Sequence, residues 1–227
     1  MGIPKNTIYY HTRKRFGRKY VTPVFDHTPN LRLGEFLGLS AADGCFYIDR
    51  RRYQYTMTIT LSEAQSPYAE IIQKSIAKIV GKRPRIDMKK KAVQIVLRGK
   101  AVLEFIRRFL TWEGIRSHTI RFRRSALALG SPFLRGVIRG LVAGDGGVYP
   151  PKRRISFGVV SKRLASQYAE ILTNFGIESH IYPVQYVRKK TLYHVQITGK
   201  TNLEKFKLRI GLTDPAKRLR LNLALRP

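Results

Sequence analysis

The strongest constraint on this chain is that it nearly repeats itself. Shifted by about 100 residues, four landmarks meet their partners in the same order. "FLGLSAADG" (36–44) falls on "IRGLVAGDG" (138–146), which sets Asp43 opposite Asp145, 102 residues later. "YAEI" occurs at 68–71 and 168–171. "VQI" occurs at 93–95 and 195–197, followed each time by Gly-Lys (Gly99-Lys100, Gly199-Lys200) and then Leu-Glu (Leu103-Glu104, Leu203-Glu204). Ordered matches at nearly one offset indicate duplication, and two copies are too few for a solenoid. The fold must therefore be one that two like halves can share.

Periodicity supplies the elements of each half. An apolar helical stretch runs to about Ala42, or to Gly144 in the second copy. Strand-like runs follow ("YQYTMTITL", "RISFGVV") with alternation of period two. In the first run Tyr55, Met57, Ile59 and Leu61 share one face, while Gln54, Thr56, Thr58 and Thr60 share the other. A helix comes next ("SPYAEIIQKSIAKIV", "SKRLASQYAEILTNF"), with Ser66 or Ser161 as N-cap. Two more strands and a closing helix ("KAVLEFIRRFL", "KTNLEKFKLRI") complete the half. The order α-β-β-α-β-β-α, twice, is an α+β pattern. It divides the chain into a basic extension (1–29), a first repeat (30–110), a linker holding Trp112 (111–130) and a second repeat (131–227).

Charge narrows the partners. Forty-four Lys plus Arg against fourteen Asp plus Glu give the 227 residues a net charge of +30. Self-repulsion of that size calls for a polyanion, and each neutralised phosphate releases counterions. The basic residues are spread along the chain, so much of the folded surface is expected to face nucleic acid. There is no apolar run long enough to span a membrane and no secretory signal. An intracellular protein is expected, in the cytoplasm or nucleoid of a prokaryote or in an organelle. The lone Cys45 excludes an internal disulfide and is expected to be a small buried hydrophobe.

The duplicated helix carries the chemistry. Small residues stand four apart, Gly38 and Ala42 in one copy and Gly140 and Gly144 in the other, on one face of each helix. That spacing lets two helix backbones press together, so a tight seam between the halves is expected. Asp43-Gly44 and Asp145-Gly146 follow directly. An aspartate in a last helical turn opposes the helix dipole by about 0.3–1 kcal/mol. Two packed helices would bring both carboxylates together at carbonyl ends, an arrangement that needs a counter-charge. Mg²⁺ would make it a hard-oxygen site of carboxylates, carbonyls, waters and phosphate oxygens. Asp87-x-Lys89 in "IDMKK" imitates the tail of another nuclease motif but is not duplicated. The five histidines show no zinc-binding spacing.

These residues resemble the signature of the LAGLIDADG homing endonucleases. The third-position glycine of the nonapeptide is Gly38 and Gly140, the eighth-position aspartate Asp43 and Asp145, and the final glycine Gly44 and Gly146. The resemblance runs from about residue 30 onward and is to the single-chain, two-repeat members. It implies two pseudo-symmetric αββαββα repeats with the signature helices packed at the centre and antiparallel sheets forming a saddle over the DNA major groove. It also implies a monomer that cuts both strands of a long DNA target to leave short 3′ overhangs. Two or three divalent ions would lie between Asp43 and Asp145, assisted by the carbonyls of Ala42 and Gly144. Mn²⁺ would substitute for Mg²⁺, and Ca²⁺ would bind without cleavage.

Other roles follow from the resemblance. Lys100 and Lys200 match the basic position after the fourth strand, beside each active centre, where as catalytic residues they would stabilise developing charge or position water. The water-ordering position at the end of the second strand holds Glu63 in repeat one and Ser161 in repeat two. Strand alternation would turn Phe46 and Ile48 to the core. Toward DNA it would present Tyr47, Asp49, Arg51, Gln54, Thr56, Thr58 and Thr60, with Arg83, Arg85, Gln94 and Arg98 on later strands. The second half would offer Arg154, Ser156, His194, Gln196 and Thr198. Arg and Gln can read guanine and adenine edges, and Thr suits the thymine methyl. Arg13, Lys14, Arg15, Arg18 and Lys19 of the extension would clamp phosphates. The alternatives on the same scaffold are an RNA maturase assisting its host intron, with intron RNA as partner, and a non-cleaving DNA-binding regulator.

Overall fold

The structure, a computed structural model, describes residues 24–185 and 190–226. The clamp residues Arg13 to Lys19 lie outside that range. The first repeat runs α1 (Leu31–Asp43), β1 (Gly44–Asp49), β2 (Gln54–Ser62), α2 (Ser66–Val80), β3 (Arg85–Lys89), β4 (Ala92–Arg98) and α3 (Lys100–Arg107). A connecting segment follows: β5 (Leu110–Thr111), α4 (Arg116–Thr119), β6 (Arg121–Phe122) and α5 (Arg124–Leu127). The second repeat is α6 (Ser131–Ala143), β7 (Gly146–Tyr149), β8 (Arg154–Val159), α7 (Lys162–Asn174), β9 (His180–Val184), β10 (Leu192–Thr198) and α8 (Lys200–Arg209). One further helix, α9 (Pro215–Ala224), continues beyond the repeat pattern.

The two sheets share one topology, β1-β2-β4-β3 and β7-β8-β10-β9, antiparallel throughout. Sequence alternation decides which face is buried. Met57, Ile59 and Leu61 of β2 and Val93, Ile95 and Leu97 of β4 join the core, as do Ile155, Phe157, Val195 and Ile197 in the second sheet. Both repeats contribute to one continuous core. Buried apolar surface stabilises it by about 25 cal/mol per Å².

Helix ends follow local chemistry. The Asn30 side chain accepts from Leu33 N at 3.0 Å and starts α1. Ser161 caps α7, as expected, by accepting from Leu164 N at 3.2 Å. Ser66 is not a cap: it is the first residue of α2, the N-cap position falls to Gln65, and Ser66 Oγ turns back to the Glu63 carbonyl.

The seam between α1 and α6 is closer than the expected small-residue pairs imply. A Cβ added to Gly38 would sit 2.2 Å from the Val137 carbonyl oxygen, and one on Gly140 2.2 Å from that of Glu35. Gly34 and Gly136 are equally tight, at 2.0 Å from Phe133 O and 2.2 Å from Leu31 O. At the seam's end, a Cβ on Gly144 would meet Ala42 Cβ at 2.6 Å and Asp43 Oδ2 at 2.8 Å. The helices thus touch backbone to backbone along their length. Glycine costs a helix about 1 kcal/mol relative to alanine; here the close approach offsets that.

Candidate metal centre and nucleic-acid interface

Asp43 is the last residue of α1, and Asp145 stands two residues past the end of α6. The Gly44 and Gly144 amides close the final turns onto the Ser40 and Gly140 carbonyls. Because the seam presses Gly144 onto Asp43, the two carboxylates share one small region. Burial, then the charge of Asp145, push the Asp43 carboxyl up to about 7, against the pull of Lys217 and Arg116. Asp145 is also raised by desolvation, although its side chain reaches the surface; Arg116 and then Lys217 oppose that rise.

These two cations cap the helix ends that carry the acids. Arg116 Nη2 donates to Ser40 O at 2.6 Å and to Ala41 O at 2.9 Å. Lys217 Nζ donates to Val142 O at 2.8 Å, Ala143 O at 2.5 Å and, more weakly, Gly144 O at 3.4 Å. A cation on the carbonyl end of a helix is favoured by the macrodipole. The two caps are equivalents, because Ser40 and Ala41 shifted by 102 are Val142 and Ala143. Leu110-Thr111 and Leu212-Thr213 begin the segments that deliver them. The Arg116 guanidinium also lies 5.1 Å over the Phe46 ring, which stacks on Trp112 at 4.9 Å.

A polar brace from repeat one holds Lys217. Asp214, 1% exposed, caps α9 by accepting from Ala216 N at 2.9 Å and Lys217 N at 3.2 Å. Gln65 Nε2 donates to Asp214 Oδ2 at 2.8 Å and to Ala143 O at 3.0 Å, so Gln65 and Lys217 share an acceptor. Nearby, buried Glu35 accepts from Tyr68 Oη and Thr213 Oγ1, both at 3.0 Å. The equivalent of Tyr68 is Tyr168, whose buried hydroxyl has no partner among the described residues, because Val137 stands where repeat one has Glu35. Sequence reasoning did not single out Arg116, Lys217, Gln65, Asp214 or Glu35. The available signal was the Leu-Thr pair and the basic residue a few positions after each.

The other site residues fall elsewhere. Lys100 is exposed at the start of α3 and pairs with Glu104 at 3.4 Å; Lys200 is exposed at the start of α8. Glu63 is exposed in a short 3₁₀ turn (Glu63–Gln65). Ser161 is fully buried and donates to Ile120 O at 2.7 Å, which docks the connecting segment on α7. The group that reaches the Asp-bearing helix end from the end of β2 is Gln65.

Strand register assembles the polar faces. In the first sheet Tyr47, Thr56 and Arg98 stand in one cross-strand row, Thr60, Gln94 and Asp87 in another, and Asp49 opposes Gln54. Thr58 lies between Cys45 and Val96, and Arg85 pairs with Asp87 at 2.5 Å. In the second sheet the rows are Tyr149, Arg154 and Thr198; Gly147, Ser156, Gln196 and His180; and Gly158, His194 and Tyr182. Arg154 lies 4.8 Å over the Tyr149 ring.

Four side chains depart from expectation. Cys45 is exposed on the polar face, since β1 alternation turns it away from the core. Ile48 is 41% exposed, on the edge strand of its sheet. Arg51 sits in the β1–β2 turn rather than on a strand. Arg83 precedes β3, where its Nε donates to Gln73 of α2 at 3.0 Å.

Two fused α+β units, each a four-stranded antiparallel sheet backed by helices, with their first helices crossing at a pair of acids, define the class of this protein. The LAGLIDADG-like domain model matches residues 132–211, within the second repeat. I-DmoI in complex with DNA and Ca superposes with a TM-score of 0.62 at 15% identity, over 86% of this chain and 99% of that one. The N-terminal LAGLIDADG domain of DUF199/WhiA gives 0.54 at 14% identity, over 89% and 90%. Replication factor C small subunit of Methanocaldococcus jannaschii is 28% identical over 210 residues, 89% of this chain but 11% of that protein. The chain therefore spans a small part of that relative's length.

Proposed function

We propose that this protein is a site-specific, metal-dependent DNA endonuclease that breaks both strands and leaves short 3′ overhangs. The observation that carries the reading is the Asp43–Asp145 pair at the joined ends of α1 and α6. Its donor set suits a divalent cation: two carboxylates raised by burial, one of them also by the other's charge, gain from a dication placed between them. Among the described residues no cluster of three or more His, Cys, Asp or Glu side chains could hold a metal. The remaining ligands would be carbonyls such as those of Ala42 and Gly144, waters and substrate phosphate oxygens. A point variant of I-DmoI has been solved with its target DNA in 2 mM Mg, and I-DmoI with DNA and Mn, which supports the same class of ion here.

A bound metal supplies Lewis-acid polarisation of the scissile phosphate and a more acidic water. The protein's own groups do the rest. Asp43 and Asp145 hold the anionic ligand positions, fixed by a seam that leaves the helices no room to slide. Lys217 and Arg116, which donate to the helix-end carbonyls, would add positive potential beside the phosphoryl oxygens in the transition state. Lys100 and Lys200, exposed at the starts of α3 and α8, would stabilise developing charge at the phosphates or position water. The polar strand faces would read the duplex, Arg98 and Arg154 by guanine edges, Gln94 and Gln196 by adenine, Thr56 and Thr58 by thymine methyls.

The test is cleavage of a supercoiled plasmid pool randomised over the target, with Mg²⁺ present. Wild type should linearise a sequence-defined subset. Asp43→Asn and Asp145→Asn should abolish linearisation or reduce it to nicking while binding survives. Linear product from the double variant would refute the mechanism. Binding without cleavage by wild type would favour a non-cleaving regulator.

A further inference from the structure

We propose that a groove between the connecting segment and α7 binds the phosphodiester backbone of a nucleic acid, at a place the strand faces do not reach. The groove is open to solvent and has a volume of about 590 Å³. Five of its nine lining residues are cationic, Arg121, Arg123, Arg124, Lys162 and Arg163, and none is acidic. Its location separates it from the saddle. The Tyr168 ring of α7 packs at 4.9 Å on Phe157, which faces the core, whereas its strand neighbours Ser156 and Gly158 face the other way. The groove thus lies beside the helix on the opposite side of the sheet from the polar rows.

The walls are tied together by buried and half-buried polar bonds. Phe122 N donates to Gln167 Oε1 and Gln167 Nε2 returns to Phe122 O, both at 2.9 Å, while Ser161 holds Ile120 O. That bonding fixes like charges side by side, at a repulsive cost that a ligand would relieve. Two of the five cations are engaged within the protein: Arg121 with Glu113 at 3.1 Å, and Arg123 Nε with Arg107 O at 2.8 Å. Arg124, Lys162 and Arg163 form no ion pair among the described residues. A single phosphate would leave most of this charge uncompensated. A polynucleotide strand supplies one anion per nucleotide and can neutralise several cations in turn.

The test needs no cleavage and so stands apart from the nuclease reading. The full chain and the triple variant Arg124→Ala, Lys162→Ala, Arg163→Ala are titrated without divalent ions, from 50 to 300 mM KCl. The probes are a random-sequence duplex DNA and a single-stranded RNA. Loss of three phosphate contacts should make the slope of log K against log [salt] shallower by about 2.5–3 on the duplex, or by about 2 on the single strand. The probe that responds identifies the source of the backbone. An unchanged slope on both, from a variant with the wild-type melting temperature, overturns the proposal. If the triple variant melts early, Lys162→Ala alone should still shift the slope by about 0.7–0.9.

Discussion

Replacing Gly140 with alanine pits two effects of opposite sign against each other. Intrinsic propensity favours the variant by about 1 kcal/mol, since alanine is the better helix former. The seam opposes it. The new methyl would lie 2.2 Å from Glu35 O, 2.4 Å from Leu39 N and 2.9 Å from the Gly38 carbonyl carbon, all backbone atoms of the facing helix. No side chain can rotate away, so α1 and α6 must separate by close to 1 Å. A gap of that size forfeits a quarter to a half of each dispersion contact across the seam, and overpacking of this kind costs about 1–3 kcal/mol or more. The steric term wins, and a net loss of about 2 kcal/mol is expected. For a chain of this length that lowers the melting temperature by about 4–8 °C. Calorimetry or circular dichroism on metal-free protein measures it. A melting temperature equal to or above wild type would refute the backbone-to-backbone seam.

Further outcomes follow from the site. Asp43 titrates near 7 in the folded protein against 3.8 as its ordinary value, so the folded state binds the extra proton between those values. Through Asp43 alone, metal-free stability should fall as pH rises from about 4 to 7, by at most about 4 kcal/mol at 1.36 per pKa unit. Asp43→Asn should remove that fall, seen by melting at pH 5 and pH 8; a parallel wild-type profile would contradict it. Ca²⁺ should raise the wild-type melting temperature more at pH 8 than at pH 5, and should barely move Asp43→Asn. Tyr68→Phe should destabilise by about 1–3 kcal/mol, because it strips a partner from buried Glu35. Tyr168→Phe should be neutral or stabilising by up to about 1 kcal/mol in urea melts, since that hydroxyl is already unpartnered. Gln65→Leu should cost about 1–3 kcal/mol by leaving Asp214 short of a donor. It should also slow double-strand cleavage as Lys217 loses its anchor, with nicked plasmid accumulating.

The duplication was legible because its marks are local: a glycine spacing that needs no partner to be recognised, an Asp-Gly helix end, and period-two strands. The cations of the site were not. Arg116 and Lys217 differ in residue type and are 101 residues apart, one short of the offset between the aspartates. An alignment that holds one offset therefore misses them. Gly34 and Gly136 escaped notice because their role depends on the helix opposite. Ile48 misled because strand alternation states which face a residue takes, not whether anything covers that face. Glu35, a charged residue amid apolar ones, becomes intelligible only when Tyr68 and Thr213, 33 and 178 residues away, are seen on it.

A seam made of main chain has an evolutionary consequence. Side-chain interfaces tie the geometry of a joint to the residues that form it, so drift on either side disturbs the fit. Here the crossing of α1 and α6 is set mainly by peptide groups meeting at glycines, which leaves the strand faces outside that constraint. Within one polypeptide, nothing then obliges the two faces to remain alike, and they have already diverged, with Tyr47, Thr56 and Arg98 in one row and Tyr149, Arg154 and Thr198 in its counterpart. If the strand faces read DNA as proposed, such a molecule can acquire a target without palindromic symmetry, changing one half of its readout while the acids at the centre keep their spacing.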